Sequence, residues 1–417
     1  MFTKAMTCAA AVALVLIPSM SATASDAGPN GLANGKGHEG TPFSYAVYGD
    51  APYGTSPADT SETDATPGFI AAVNADPSVG AVVHLGDIHS GSQYCTAAYD
   101  QQIRDLWSGF ADPMIYTPGD NEWADCHKKK EGGGVYNPAT GQIDHVLGAD
   151  GQPVNYAGGD PIANLDLVRS IFFDKAGKTL GSGKLNVTSQ AKAFDRAHPG
   201  DQQFVENVMW SQGGIQFVTI NVPGSSNMIA DPWFGAPAET AAQAQEREQL
   251  TGADVRWIQA AFAQAGKDKA AGVVIIDQAD MWDIDSNPTG AAHLTNFEPL
   301  VKTIADETKA FGNPVLMLNG DSHVYRSDNP LQQGAPCTGD IENGHDVCVS
   351  PIHDAAIGSS LESWNAHPFY DVPNFHRVVV HGSTVPLEYL RLTVDTSVDR
   401  PASDTAFGPF SWARVQG

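Results

Sequence analysis

Short apolar runs alternate with polar, Gly- and Pro-rich segments along this chain, and the runs follow two different periods. Phe43–Tyr48, Ala81–Leu85, Met114–Thr117, Gly272–Ile276 and the first half of Val315–Arg326 are short, nearly continuous apolar stretches. That is the composition of strands buried on both faces. Helical spacing marks Ala97–Phe110, with Tyr99, Ile103, Leu106 and Phe110 on one side, and Ala238–Ala265, with Leu250, Val255, Ile258, Ala261 and Phe262 as a stripe. Asn164–Phe173 and Phe297–Phe311 also read as helices, and Gly68–Asn74 as a short one after a polar loop at Pro57–Pro67. Gln203–Trp210 and Ile215–Asn221 read as a hairpin across Gln212–Gly214 that feeds Val222–Asn227. The tail alternates in Phe375–His381, Glu388–Asp395 and Ser411–Val415, as strands do. Strands interleaved with helices, followed by a β-rich tail, predict an α/β protein in which two packed mixed sheets are flanked by helices.

The strands share an ending. Phe43–Tyr48 runs into Gly49-Asp50, Ala81–Leu85 into Gly86-Asp87, Met114–Pro118 into Gly119-Asp120-Asn121, and Val315–Asn319 into Gly320-Asp321-Ser322-His323. In open α/β sheets, ligands sit outside the carboxyl ends of strands. Any one Asp in such a place also fits a turn residue or a helix N-cap. All of them together predict carboxylates converging on one rim.

Export is expected. Lys4, the apolar run Ala9–Ile17 and the small residues Ala22–Ala24 have the form of a secretion signal over residues 1–24. A mobile lead-in would follow over 25–41, and one domain over 42–417, with a β-rich part at 375–417. No apolar run is long enough for a membrane span. Cleavage removes Cys8 and leaves Cys95, Cys126, Cys337 and Cys348, without a CxxC spacing. An even number in an exported chain favours disulfides. Of the three possible pairings, Cys95–Cys126 would tie two motif loops and Cys337–Cys348 would staple one loop.

A net charge of −25 excludes a nucleic-acid or anionic-membrane partner, which would need a patch of Lys and Arg. The basic run Lys128-Lys129-Lys130 opens a Gly-rich insertion over 128–159. It fits a solvated loop, or a clamp for substrate phosphate. Asn186-Val187-Thr188 is a glycosylation sequon, meaningful only in a eukaryotic secretory route. Oligomeric state and substrate identity leave no mark.

Taken in order, the motifs resemble those of the calcineurin-like metallophosphoesterases, purple acid phosphatases included. That pattern runs D-x-H or D-x-G, GD, GNH followed by Asp or Glu, a lone His, and GHxH. Here GDAPYG, GDIHSG, GDNEW, DQADMW and GDSHVYR stand in those places, across Phe43 to Arg326. The resemblance implies a four-layer α/β/β/α sandwich of the metallo-dependent phosphatase type. It also implies two divalent or trivalent metal ions (Mn, Fe, Mg, Ca or Zn) and hydrolysis of phosphate mono- or diesters by a metal-activated hydroxide.

By the resemblance, Asp87 would bridge the metals and Asp50 and His323 would complete the first site. Asp120, Asp321 and Gln278 would serve the second, and Asn121 falls at the catalytic His. Pro52 stands at the first motif's His, Asp321 replaces a His, and Gln278 takes the lone His's place. The remaining ligand set is mainly oxygen, which suits hard ions better than zinc. Asn121 cannot protonate a leaving group, so His127 or His89 would have to, and Arg326 would meet substrate phosphate or pair with a motif Asp. Tyr53 offers a phenolate for iron. His89 fits an ordinary polar-loop histidine as well. The missing histidines also raise a second expectation: a protein of this fold without catalysis, acting as an extracellular binding or surface protein.

Overall fold

The computed structural model describes residues 41–283, 291–332, 334–342, 345–348 and 370–417. The leader, nearly all of the lead-in, His353 and His367 lie outside them. Two mixed sheets make the frame. The first has seven strands in the spatial order 406–407, 410–416, 388–394, 43–48, 79–84, 113–116 and 180–181. The second has eight: 338–339, 326–328, 375–379, 315–319, 272–276, 215–219, 208–212 and 188–189. In each sheet the central strands are parallel and the flanking ones antiparallel, as in Phe43–Tyr48 against Val79–His84 and Gly272–Ile276 against Val315–Asn319.

Strand periodicity sorts side chains between two cores. Successive Cβ atoms point to opposite faces of a sheet. Tyr45 and Val47 therefore face the second sheet, where they meet Phe217, Val274, Ile276, Leu316 and Leu318. Their neighbours Ala46 and Tyr48 face outward onto Phe69, Ile103 and Trp107 of the helices Ser61–Ala75 and Ala97–Trp107. On the far side, Val273, Ile275, Val315 and Met317 pack under Ala241–Asp268 and Glu298–Phe311. Helix, sheet, sheet, helix is the layer order. It explains why the central strands are apolar throughout: each is covered on both faces.

Several expected boundaries move. Residues 61–67, read as loop, form the first half of the helix Ser61–Ala75, with Pro67 inside it. Pro67 has no N–H to give, yet Thr66 donates to the Glu62 carbonyl at 2.9 Å, and Glu62 and Asp64 favour the positive helix start. Its polar first turn hid the helix. The strand expected from Gln203 starts at Val208, because 199–203 is a 3₁₀ turn. Glu206 there faces inward to pair with Arg169 at 2.6 Å. The other expected helices hold within a few residues, Pro161–Phe172 being capped by Asp160, whose carboxylate accepts from Ala163 N–H.

The insertion over 128–159 is built rather than loose. It holds a hairpin, Gly134–Asn137 with Gln142–His145, and is tied down where Asn155 donates to the Cys126 carbonyl and Tyr156 N–H to that of Cys95. Both expected disulfides are formed, Cys95–Cys126 and Cys337–Cys348. No described helix is long and apolar enough to cross a membrane.

Phe217 is fully buried between the sheets, stacked on Trp210 of its own sheet and meeting Tyr45 of the other with ring centroids 5.2 Å apart. Phe217→Ala should cost about 3–5 kcal/mol of unfolding free energy, read from guanidinium curves of unchanged slope. A loss below about 1 kcal/mol would mean the two sheets do not depend on this contact.

Candidate metal centre

Each motif ends its strand in a sharp turn. Asp50, Asp87, Asp321 and His323 have φ of 50°, 57°, 73° and 61°, left-handed conformations that Asp tolerates better than most residues. Such turns aim short side chains back across the strand ends. Asp50, Asp87 and His323 thereby bring ligand atoms within 4.8 Å of one another. His323 Nε2 is 3.4 Å from Asp50 Oδ1, and Asp321 N–H donates to the same oxygen at 3.0 Å. The Tyr53 hydroxyl donates to Asp87 Oδ2 at 2.7 Å and lies 3.3 Å from His323 Nε2. Asn121 closes this group: its amide donates to Asp87 Oδ2 at 2.9 Å, and its backbone N–H lies 3.2 Å from Asp87 Oδ1.

Two glycines show how tightly the motifs meet. A Cβ on Gly119 would lie 2.0 Å from Asp87 Oδ1, so the second and third motif turns touch only because residue 119 has no side chain. A Cβ on Gly224 would lie 2.5 Å from Asp120 Oδ2 and 2.9 Å from Asp321 Oδ1, so these two carboxylates come together over one Cα. Gly224 opens a left-handed turn in which Ser225, Ser226, Asn227 and Met228 all have positive φ. Ser225 Oγ is 3.4 Å from both Asp120 and Asp125. Residues 224–228 were missed as part of the site by sequence reasoning. The available signal was a further buried strand, Ile215–Thr219, running into a Gly-containing polar turn.

The remaining expected residues lie around this group. Gln278 is fully buried beneath it: its side chain packs against Gly86, and its carbonyl accepts from Gly320 N–H at 3.0 Å. Arg326 is 2% exposed and turns to Asp280, its Nη2 3.6 Å from Oδ2. Of its two expected roles, the ion pair is the contact it makes. His127 is buried, accepts the Phe234 N–H at Nδ1, and belongs to a separate group with Asp125 and Asp231. Lys128 reaches Asp125, Asp231 and Ser225, while Lys129 and Lys130 are exposed. His89, read as an ordinary polar-loop histidine, is fully buried. His376 and His381 are structural, bonded to Ser327 and to Asp340 and Glu388.

The carboxyls of the cluster are held away from their ordinary range. Burial raises the Asp87 carboxyl well above the usual carboxylate range, and the charges of Asp120, Glu122, Asp50 and Asp321 raise it further. Asp120 is raised by burial and by Asp125 and Asp321, with Lys128 opposing. Asp321 is raised by burial and Asp283. Burial disfavours the charge on Lys128, but Asp125 and Asp120 outweigh it and hold the ammonium protonated. Asp50 Oδ2 is buried without a hydrogen-bond partner among the described residues. Carboxylates crowded in this way, with an orphaned buried oxygen and one imidazole, are a donor set suited to a hard cation.

No family model matches this sequence, and no curated protein does. Among solved structures, the chain is similar to a purple acid phosphatase, PPD1 from yellow lupin (Lupinus luteus) seeds, at 11% identity and a TM-score of 0.38. That match covers 90% of this chain and 50% of the lupin chain, so this protein spans about half its length.

A carboxyl whose native pKa lies above its unfolded value, about 4, stabilises the fold while protonated and loses that contribution as pH rises. The melting temperature of metal-stripped protein should therefore fall as pH rises above about 4. Asp87→Asn should flatten the slope, and added Mn²⁺ should raise the upper end most. A slope that is identical in Asp87→Asn and indifferent to Mn²⁺ would separate these carboxyls from the pH response.

Proposed function

We propose that this protein is an exported phosphoesterase that hydrolyses phosphate mono- or diesters with two metal ions. The observation that carries the reading is the approach of Asp50, Asp87 and His323 within 4.8 Å, at the carboxyl ends of strands from two different sheets. Asp50, Asp87 and His323 would hold one ion, and Asp87, Asp120, Asn121, Gln278 and Asp321 the other. Bound there, the ions supply Lewis acidity, which activates water and neutralises charge on the phosphoryl oxygens.

The chain's own residues do the rest. Tyr53 and Asn121 orient Asp87 through the two hydrogen bonds to its Oδ2. Ser383 Oγ lies 3.3 Å from His323 Nδ1 and fixes the ring so that Nε2 faces the cluster. Lys128, three contacts deep in Asp125, Asp231 and Ser225, holds positive charge beside Asp120 and is better placed to balance that carboxylate than to leave it for substrate. Gln278 and Arg326 brace the turns from below. Asp50, Asp87, Asp120 and Asn121 are at most 9% exposed, so the accessible edge of the site lies at His323, whose side chain is 29% exposed, and at half-buried Asp321 and Ser322.

Protein purified without added metal should carry one or two ions per chain by elemental analysis. Asp87→Asn should lower turnover of an aryl phosphate by more than about 100-fold, beyond what loss of a supporting hydrogen bond costs. Tyr53→Phe keeps the ring but removes a donor to Asp87, and should cost about 10–100-fold in metal affinity.

The second reading, a binding or surface protein of the same fold, is favoured by one feature: Asn121 replaces a proton donor, and buried His127 is committed at Nδ1 to Phe234. It expects bound metal without turnover across a panel of metals and pH values. Activity that disappears in Asp87→Asn would rule it out.

A further inference from the structure

Beside the carboxylate cluster lies a second donor set of opposite character. His89, Cys95 and Cys126 bring an imidazole nitrogen and both sulfurs within 4.8 Å of one another, and all three residues are buried, with Cys95 the most exposed at 2%. The cysteines form the disulfide that ties the second motif loop to the third. His89 Nδ1 is 3.2 Å from the Ser90 carbonyl, so the ring proton belongs on Nδ1 and the lone pair on Nε2. That nitrogen is buried and has no hydrogen-bond partner among the described residues. The nearby Tyr99 ring meets the imidazole edge to face at 5.6 Å but sends its hydroxyl to the Ile88 carbonyl. A histidine whose Nδ1–H is held by a carbonyl, while Nε2 is left free, has the tautomer of a metal ligand.

We propose that the reduced form of this chain binds one thiophilic ion, Zn(II) or Cu(I), between His89 Nε2 and the sulfurs of Cys95 and Cys126. Imidazole and thiolate prefer such ions, whereas the oxygen-rich cluster around Asp87 prefers hard ones, so the two sets would not compete for the same metal. The site and the disulfide exclude each other. A phosphine, with water giving two protons and the phosphine leaving as its oxide, or a dithiol, giving its own two protons and leaving as a disulfide, supplies two electrons that break the Cys95–Cys126 bond and leave two thiols. Metal binding then displaces both thiol protons without further electron transfer. In either state the loops carrying Asp87 and Asn121 stay joined, through sulfur–sulfur or sulfur–metal–sulfur bonds. The ion would thus hold the motif loops together in a chain not yet oxidised.

The test uses the full chain, reduced anaerobically with a phosphine, freed of it, and titrated with Co(II) as the probe. One equivalent should produce thiolate-to-cobalt charge-transfer absorption that Zn(II) displaces, with none from the oxidised protein. Binding at the carboxylate cluster gives no sulfur band, so this result stands apart from the phosphoesterase reading. Cys337→Ser/Cys348→Ser should keep the band and Cys95→Ser/Cys126→Ser should lose it. His89→Ala should weaken the apparent affinity at least tenfold. As a second readout, Zn(II) added while the reduced chain refolds should shield Cys95 and Cys126, but not Cys337 and Cys348, from alkylation. Absence of both the band and the shielding overturns the proposal. So does a band that survives Cys95→Ser/Cys126→Ser or is indifferent to His89→Ala.

Discussion

Mutual repulsion among buried carboxylates is the constraint on which this architecture turns. Two unit charges 4.8 Å apart, the limit within which Asp50 and Asp87 lie, repel by about 3–4 kcal/mol at an effective dielectric near 20. Asp120 and Asp321 add to this from across Gly224. A fold with a margin of only about 5–15 kcal/mol cannot carry several such terms ionised and uncompensated. Either Asp87, Asp120 and Asp321 keep their protons or a cation shares them. The surrounding structure leaves little room to relax: the turns are left-handed, their glycines are in contact, and the strands behind them are buried on both faces.

The frame was legible because buried strands leave the plainest trace a sequence can carry. Phe43–Tyr48 and Gly272–Ile276 stand at the expected bounds, and Val315–Asn319 ends where Gly320 interrupts it. Their short apolar runs are bounded by Gly and polar residues, so periodicity and punctuation agree. The first half of Ser61–Ala75 escaped because its inward residues include Thr63 and Thr66, and because Pro67 reads as a stop. There, burial against the first sheet overrides local propensity. The hairpin in 134–145 escaped for the opposite reason. The insertion that holds it is tied to the motif loops through Asn155 and Tyr156, and long-range contacts of that kind leave no periodicity in the chain.

The candidate site divides the same way. That Asp50, Asp87 and His323 approach one another could be anticipated from a repeated strand ending. What surrounds them could not. Residues 224–228 contribute through backbone shape, since Gly224 touches both Asp120 and Asp321 and the run after it is left-handed, which no motif encodes. Arg326 stands at the end of a motif yet turns inward to Asp280, which is itself held by Arg377. Spacing along the chain reports which residues leave a strand together. It is silent on which way a long side chain then points.

Strand Phe43–Tyr48 sits at the middle of its sheet, with Val79–His84 on one side and Glu388–Val394 on the other. Ser44 and Thr393, hydroxyl to hydroxyl at 2.8 Å, are 349 residues apart in the chain. During synthesis, the edge of Phe43–Tyr48 that will receive its last neighbour must therefore wait, unpaired, until residues 388–394 emerge. An open strand edge invites pairing with other chains, and closing so distant a contact is slow. The nascent polypeptide thus depends on late sealing of its first strand, and its tail acts as the latch.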